Sequence, residues 1–495
     1  MRRIVPLVLI LSFFFLGTSP AQALDREERL WQDESIYYIQ VDRFMNGEVA
    51  NDDPVNVEDP EAFHGGDLIG VIEQLDYIQE LGFTTIQLSP IMQNDPIGYH
   101  GYAVEDFRAV EEHFGSIQTA AQLVEEAHSR DLRVLFDFPV SYISAQHPWV
   151  NDPEKADWFL ENESVAPGNP WQEGLPELDT SQPGVRQYLV ETARWWIEET
   201  NVDGFRVDAS ENVSDEFYEQ LAQQSDAAKS DFFLYTTTEG NDSAPVVNGH
   251  HNLDAQKKVR EEFSKAGGTV EERTAFDSDT DYTLIHTVDS PKGTRFTHET
   301  VEEGQNPITR WELALTYTFT TPGVPMMMYG TEVPLDDGGN YGEISMMNFK
   351  TSNEQLKQRI EKLTSMREQF PVLTRGDYEE IHDEDGLLVY KRSYEDEEML
   401  IAINNATKTN VAEVEDLPED YQLRGLLQDG VIRQQDNGNY RIGMERETAD
   451  VFIIESDRGY NWLFIGFVGG ILSLFVLAVI IMSVKSKRIE KTTNH

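Results

Sequence analysis

Between residues 30 and 370, short runs of apolar and β-branched residues alternate with amphipathic stretches. That alternation leaves few architectures open. Seven runs read as strands: Ile36–Val41, Thr84–Ser89, Arg133–Phe138, Gly204–Val207, Phe232–Thr236, Thr283–Thr287 and Val324–Tyr329. A further run near Arg273–Phe276 is expected as the sixth in order and brings the count to eight. Helical periods cover Asp67–Leu81, Thr119–Ser129, Val185–Thr200, Glu216–Ala227 and Asn353–Phe370. Strands joined through helices run parallel, and eight such units predict a (β/α)₈ TIM barrel over residues 24–370.

Two regions break this rhythm. Ser141–Asp179 is rich in Pro, Gly, Asn and Trp, which predicts a small excursion domain of about residues 141–180 after the third strand, standing over the barrel mouth. Three of the chain's eight tryptophans, Trp149, Trp158 and Trp171, fall there. Their faces suit sugar rings, and packing the excursion's own core is the alternative. After Pro371 the helical periods stop. Alternating runs such as Leu387–Lys391 and Met399–Ile403, separated by turn residues, predict an all-β sandwich domain over 371–456.

Both ends carry membrane signals. Arg2 and Arg3, the apolar run Ile4–Leu16 and Ala21-Gln22-Ala23 read as a signal peptide over residues 1–23. Trp462 to Val484 contains no charged residue and reads as one transmembrane helix. Lys485, Lys487, Arg488 and Lys491 follow it, which puts the tail 485–495 in the cytoplasm and the rest of the chain outside the cell membrane. The net charge is −50, from 89 acidic and 39 basic residues, which argues against nucleic acid as a partner and for a solubilising acidic surface. With no cysteine, disulfides and thiolate metal sites are excluded.

The active site of a parallel barrel lies at the carboxyl ends of its strands. Tyr99-His100-Gly101-Tyr102 follows the second strand, Asp137 ends the third, Arg206 and Asp208 end the fourth, and Asp289 follows the seventh. Each alone could be a structural cap or ion pair. Their convergence on one rim points to glycoside chemistry, which uses paired carboxyl groups.

Residues 35 to 456 resemble the α-amylase family, glycoside hydrolase family thirteen. The resemblance rests on Ile39-Gln40-Val41-Asp42-Arg43-Phe44, Phe63-His64-Gly65-Gly66-Asp67-Leu68, Gly98-Tyr99-His100-Gly101-Tyr102, His113-Phe114-Gly115-Ser116, Asp203-Gly204-Phe205-Arg206-Val207-Asp208-Ala209 and Tyr329-Gly330-Thr331-Glu332, in that order. It implies a retaining enzyme acting on α-1,4-glucans or maltooligosaccharides. Asp208 matches its nucleophile, Arg206 the cation that orients and ionises it, and Asp289 the carboxylate that stabilises the transition state. Tyr99 matches the platform under the reacting sugar, and Asp137 the acidic residue ending strand three.

The sequence also departs from that pattern. The general acid is normally a Glu near the end of strand five. Thr237 stands in that position and Glu239 lies two residues on, either as the acid through a small slip or as an exposed loop residue. Ser141 and Tyr142 stand where an Asn-His pair is usual, Glu211 and Asn212 where Lys-His is, and Thr287 and Val288 where a second Asn-His is. Tyr142 thereby takes the place of a sugar-binding histidine. The family's usual calcium uses the positions of Ser141 and Asn212. A second calcium loop of some relatives is matched by Asn46, Glu48, Asn51, Asp52, Gly65 and Asp67; two hydrogen-bonded turns are the other reading. Two functions stand open: an anchored glycosidase with Asp208, Glu239 and Asp289 as its carboxyl groups, and a catalytically impaired surface glycan-binding module. His250-His251 reads as a polar loop pair.

Overall fold

A computed structural model describes residues 28–96, 98–160, 171–237, 246–268, 282–339, 344–415, 417, 421–457 and 462–493. Eight parallel strands close a barrel in chain order: β1 (Ile36–Ile39), β2 (Thr85–Leu88), β3 (Arg133–Pro139), β4 (Gly204–Asp208), β5 (Phe233–Thr236), β6 (Gly249–His251), β7 (Thr283–Thr287) and β8 (Val324–Met328). Strands β1 to β5 and β8 are buried along most or all of their length, as expected of strands sandwiched between a packed interior and a ring of helices.

The sixth strand corrects the sequence expectation. It is Gly249–His251, paired with β5 on one side and β7 on the other, whereas the run near 273–276 lies outside the described residues. His250 and His251 are therefore strand residues and not a loop pair. A three-residue Gly-His-His strand has no β-branched run to announce it. Gly249 is needed where it stands, since a Cβ would sit 2.8 Å from the Thr283 carbonyl oxygen and 3.0 Å from the Phe233 ring.

Helices wrap the barrel. Ile117–Ser129 opens with Ser116 and Thr119 capping each other. Pro183–Thr200 begins with proline in its first turn and ends at Asn201 in the left-handed conformation, φ 58°. The helical stretch expected over 67–81 divides at Gln74 into Leu68–Glu73 and Leu75–Glu80.

The excursion is tied down by two isolated bridges, Tyr142 with Glu177 and Phe159 with Leu178. Trp149 and Trp158 meet edge to face at 4.8 Å, and Trp149 also meets Tyr188 at 4.7 Å. Those two indoles pack the excursion against the helix Pro183–Thr200. Trp171 goes elsewhere.

Past residue 376, six strands form one sheet in the order 377–384, 387–394, 397–404, 448–456, 421–425, 431–433, and 410–414 pairs with 440–444 as a second. Their inner faces share a core including Leu387, Leu400, Val414, Ile442 and Phe452, the expected sandwich. Buried arginines join it to the barrel. Arg392 donates to the carbonyls of Thr320 (2.6 Å) and Leu373 (3.0 Å), and Arg310 to Asn405 (2.6 Å) and Glu447 (3.0 Å).

A 32-residue helix, Trp462–Thr493, ends the described chain. Its side chains from 466 to 481 are exposed. Among the described residues, no helix is long and apolar enough to cross a membrane. The expected signal peptide at 1–23 lies outside the described residues.

Candidate active site

Alternation along β4 turns Arg206 and Asp208 into the barrel and Phe205 and Val207 toward the helices. Asp137 on β3 is the register partner of Arg206, and Pro139 that of Asp208. Arg206 forms an ion pair with Asp137 and donates to the Tyr102 hydroxyl at 2.5 Å. Asp137 also accepts from Gln87 (2.7 Å), Tyr102 (3.1 Å) and Tyr38 (3.2 Å). Burial pushes its carboxyl up to about 6, against the pull of Arg206 and Gln87. Asp137 and Arg206 thus form an ion-paired floor one level beneath Asp208, with the Arg206 Nε buried and unbonded.

Asp208 is 3% exposed. The Lys292 ammonium donates to its Oδ1, and the Gln172 amide to its Oδ2 at 2.8 Å. Burial opposes its ionisation, but Lys292 and Arg206, with the hydrogen bonds from Lys292 and Gln172, hold it below the usual carboxylate range. Asp208 is accordingly an ionised, inward carboxylate with both oxygens engaged.

Aromatic rings crowd the same end. Trp171, adjacent to Gln172, stacks on His100 (5.0 Å, 10°) and Tyr102 (5.7 Å, 14°) and meets Tyr99 edge to face at 6.1 Å. Tyr99, expected as a sugar platform, is 2% exposed and carries the Arg43 guanidinium 3.7 Å over its ring. The Lys292 ammonium lies 4.8 Å from the centre of the Tyr102 ring.

Asp289 follows β7. Its Oδ1 accepts from Arg260 (3.0 Å) and the Phe296 N–H (2.7 Å), and its Oδ2 from Arg295 (3.3 Å). These bonds tie β7 to the start of the helix Phe296–Glu302. Tyr142 is buried in the excursion stem, where it bridges Glu177. Ser141 Oγ accepts from the Ser210 N–H at 2.7 Å, and the Asn212 amide donates to Glu177 at 3.1 Å. Direct hydrogen bonds link these segments at the positions where the family's usual calcium is expected.

Glu239 lies outside the described residues. Val207 pairs with Thr236, so Thr237, the residue just past β5, is level with Asp208.

In the expected calcium loop, Asp67 is buried and accepts from the backbone N–H groups of Gly47, Glu48 and Gly70. Burial, with the nearby Asp52 charge, raises its carboxyl despite those bonds. Asn46 donates to both oxygens of Asp52 at 2.9 Å, Glu48 accepts from the Ala50 N–H, and Asn51 donates to the His113 carbonyl at 2.9 Å. Asn51 Oδ1 is buried and has no hydrogen-bond partner. Gly65, at φ +89°, comes so close that a Cβ would lie 2.9 Å from Asp52 Oδ1. Two carboxylates near enough for the charge of one to act on the other, with an unpartnered amide oxygen, are a donor set that fits Ca²⁺. Elsewhere among the described residues, His298, Asp336 and Asp337 bring ligand atoms within 4.8 Å of one another.

Two site residues were not legible in the sequence, Lys292 and Gln172. Both come from irregular loops with no periodicity to orient them.

Residues 38–268 match the family described as "Alpha amylase, catalytic domain", and residues 376–452 match "Alpha-amylase C-terminal domain". A crystal structure of an Anoxybacillus alpha-amylase, described as a new glycosyl hydrolase subclass, is 39% identical with a TM-score of 0.81, covering 88% of this chain and 100% of that one. An alpha-amylase from Geobacillus thermoleovorans, solved with acarbose, is 36% identical with a TM-score of 0.78, covering 87% and 100%. A beta/alpha-amylase from Paenibacillus polymyxa is 28% identical over 471 residues, which is 85% of this chain but only 38% of that relative's length.

Proposed function

The chain belongs to the alpha-amylase family, and we propose that it is a membrane-anchored glycoside hydrolase acting outside the cell on α-1,4-glucans or maltooligosaccharides by a retaining mechanism. One observation carries this reading. Asp208 is a buried, inward carboxylate at the end of β4, held ionised above the Arg206–Asp137 pair and ringed by Tyr102 and Trp171. An ionised carboxylate in a cleft walled by aromatic rings is what attack on an anomeric carbon requires. Glu239 is the candidate proton donor, expected about 5–5.5 Å from Asp208 in a retaining enzyme. Asp289 enters as a positioning residue, because both of its oxygens are engaged by Arg260, Arg295 and the Phe296 N–H.

The anchor is supported by the helix Trp462–Thr493, on which Phe467, Leu474 and Phe475 are 63%, 70% and 65% exposed. Apolar side chains at that exposure need a nonaqueous partner. Asn46, Asn51, Asp52, Gly65 and Asp67 would hold a calcium ion that cross-links the loop after β1 to the helix Leu68–Glu73, a structural role.

A second reading has its own observation. Lys292 and Gln172 occupy both oxygens of Asp208, and opening a charge-assisted bond of this kind costs about 1.5–3 kcal/mol. That favours an impaired barrel serving as a surface glycan-binding module. The deciding experiment incubates the full-length protein in detergent with maltooligosaccharides and starch plus calcium, beside D208N, and separates the products over long times. Product that disappears in D208N supports the enzyme. Oligosaccharide binding without product supports the receptor, and neither one sinks both readings.

A further inference from the structure

The strand registers put an imidazole on the level of Asp208. Val207 pairs with Thr236, and Thr236 with His250. The residues that follow these, Asp208 and His251 on their strands and Thr237 just past the end of β5, therefore fall on one level. Arg206 pairs with Tyr235 and Tyr235 with Gly249, so alternation turns all three inward. His250 on β6 and His286 on β7 alternate to the other side, and His286 is bonded to the Pro322 carbonyl at 2.7 Å.

His251 is 6% exposed, and its Nε2 is buried with no hydrogen-bond partner. A buried polar atom left unbonded is costly, and in a cleft it marks a place for a ligand atom. Burial, with the charges of Arg206, His286 and Lys292 around it, pushes the ring down to about 3. The imidazole is then neutral at any moderate pH. Their shared level and inward direction put the ring and the Asp208 carboxylate on the same side of the barrel wall. A neutral imidazole can donate to or accept from a sugar hydroxyl, and it adds no charge that would compete with Lys292 for Asp208.

We propose that His251 is a substrate-contact residue of the Asp208 cleft, its Nε2 hydrogen-bonded to one hydroxyl of the sugar in the reacting subsite. The proposal rests on the α-glucan reading above. It also fits what the neighbouring positions lack: Val288 has no polar side-chain atom, and Tyr142 is tied into the excursion stem beside Glu177. The sixth strand would supply the imidazole contact that those two positions do not.

The test uses the full-length protein in detergent, as wild type, H251A and H251Q, with maltohexaose and a series of singly deoxygenated maltosides. Affinity is read by calorimetry, turnover by product separation and folding by thermal melting. H251A should lose about tenfold to a hundredfold in kcat/KM or affinity, the scale of one good hydrogen bond to a reacting sugar. H251Q, which keeps a polar side chain, should recover part of that loss. One deoxy sugar should bind wild type and H251A equally, because it lacks the hydroxyl that His251 holds. A structural role could not single out one hydroxyl, so an equal loss on every sugar, or no loss at all, overturns the proposal. If H251A does not melt cooperatively, H251Q against the same deoxy series decides. Wild type that neither binds nor cleaves any α-glucan overturns the functional reading itself, and that failure is seen before any variant is made.

Discussion

The Lys292 ammonium donates to Asp208 Oδ1, across 84 residues of chain and from a loop that no periodicity predicts. The pair holds Asp208 ionised and also screens the oxygen that a nucleophile must offer. K292M should therefore change two things at once. With burial then less opposed, the acid limb of the pH–rate profile should move up. Above that limb, turnover should rise about tenfold or more, since a charge-assisted bond of about 1.5–3 kcal/mol no longer has to open. A lower rate at every pH would show that Lys292 assists the reaction.

Asp289 offers a contrast between chemistry and architecture. It joins Arg260, Arg295 and the Phe296 N–H, and it is 2% exposed. D289A would leave two arginines without their shared carboxylate, and we expect a loss of about 3–5 kcal/mol of stability by denaturant titration. D208N should cost far less stability while removing turnover. Equal melting of D289A and wild type would refute the positioning role.

Calcium should act on stability first. Because Asn51 Oδ1 is buried without a partner and the Asp52 charge acts on Asp67, binding there should raise the melting temperature by a few degrees at millimolar calcium, with the dependence on concentration that linkage requires. D52A should abolish the shift. A shift that survives in D52A would place the ion elsewhere.

The buried histidines set the acid limit. Burial pushes His100 and His251 down to about 3, and His147 and His286 down to about 4. Unfolded, each titrates near 6.5. Their contribution is complete above that value and is lost progressively as pH falls from about 6.5 through 4 toward 3, with each proton worth about 1.4 kcal/mol per pH unit. Asp137 has the opposite sign: raised to about 6 by burial, it favours folding most below its unfolded value and loses that contribution as pH rises through 6. The four histidines, joined by Asp208 and Asp203 whose carboxyls are held low, make the acid side the destabilising one. Melting temperature should fall steeply below pH 6, and H286Q, which keeps a donor for the Pro322 carbonyl, should flatten that fall. An unchanged slope in H286Q would contradict this account.

Much of this was legible in the sequence, for identifiable reasons. β1 to β5, β7 and β8 are runs of apolar or β-branched residues, and Arg206 and Asp208 face inward because period two leaves them no other side. β6 is Gly-His-His, which carries no strand signal. The helix Pro307–Thr320 is buried almost all round, from Arg310 to Thr320, so it has no polar face for a helical period to reveal. Gln172 and Lys292 reach Asp208 from sequence separations of 36 and 84 residues, through loops whose course only packing decides. The tryptophans illustrate the same limit. Composition placed three of them over the barrel mouth, but only contacts separate Trp171, which stacks on His100 and Tyr102, from Trp149 and Trp158, which pack the excursion.

The last strand, Thr448–Ser456, lies in the interior of its six-stranded sheet, bonded to Met399–Asn404 on one side and to Tyr421–Gly425 on the other. The helix Trp462–Thr493 begins just beyond it. Any pull along that helix enters the sheet through a strand flanked on both sides, and it loads two ladders of hydrogen bonds in shear. Arg310 and Arg392 carry the load onward into the barrel. With the helix as the anchor proposed above, the sandwich would be the coupling through which any tension on it reaches the barrel.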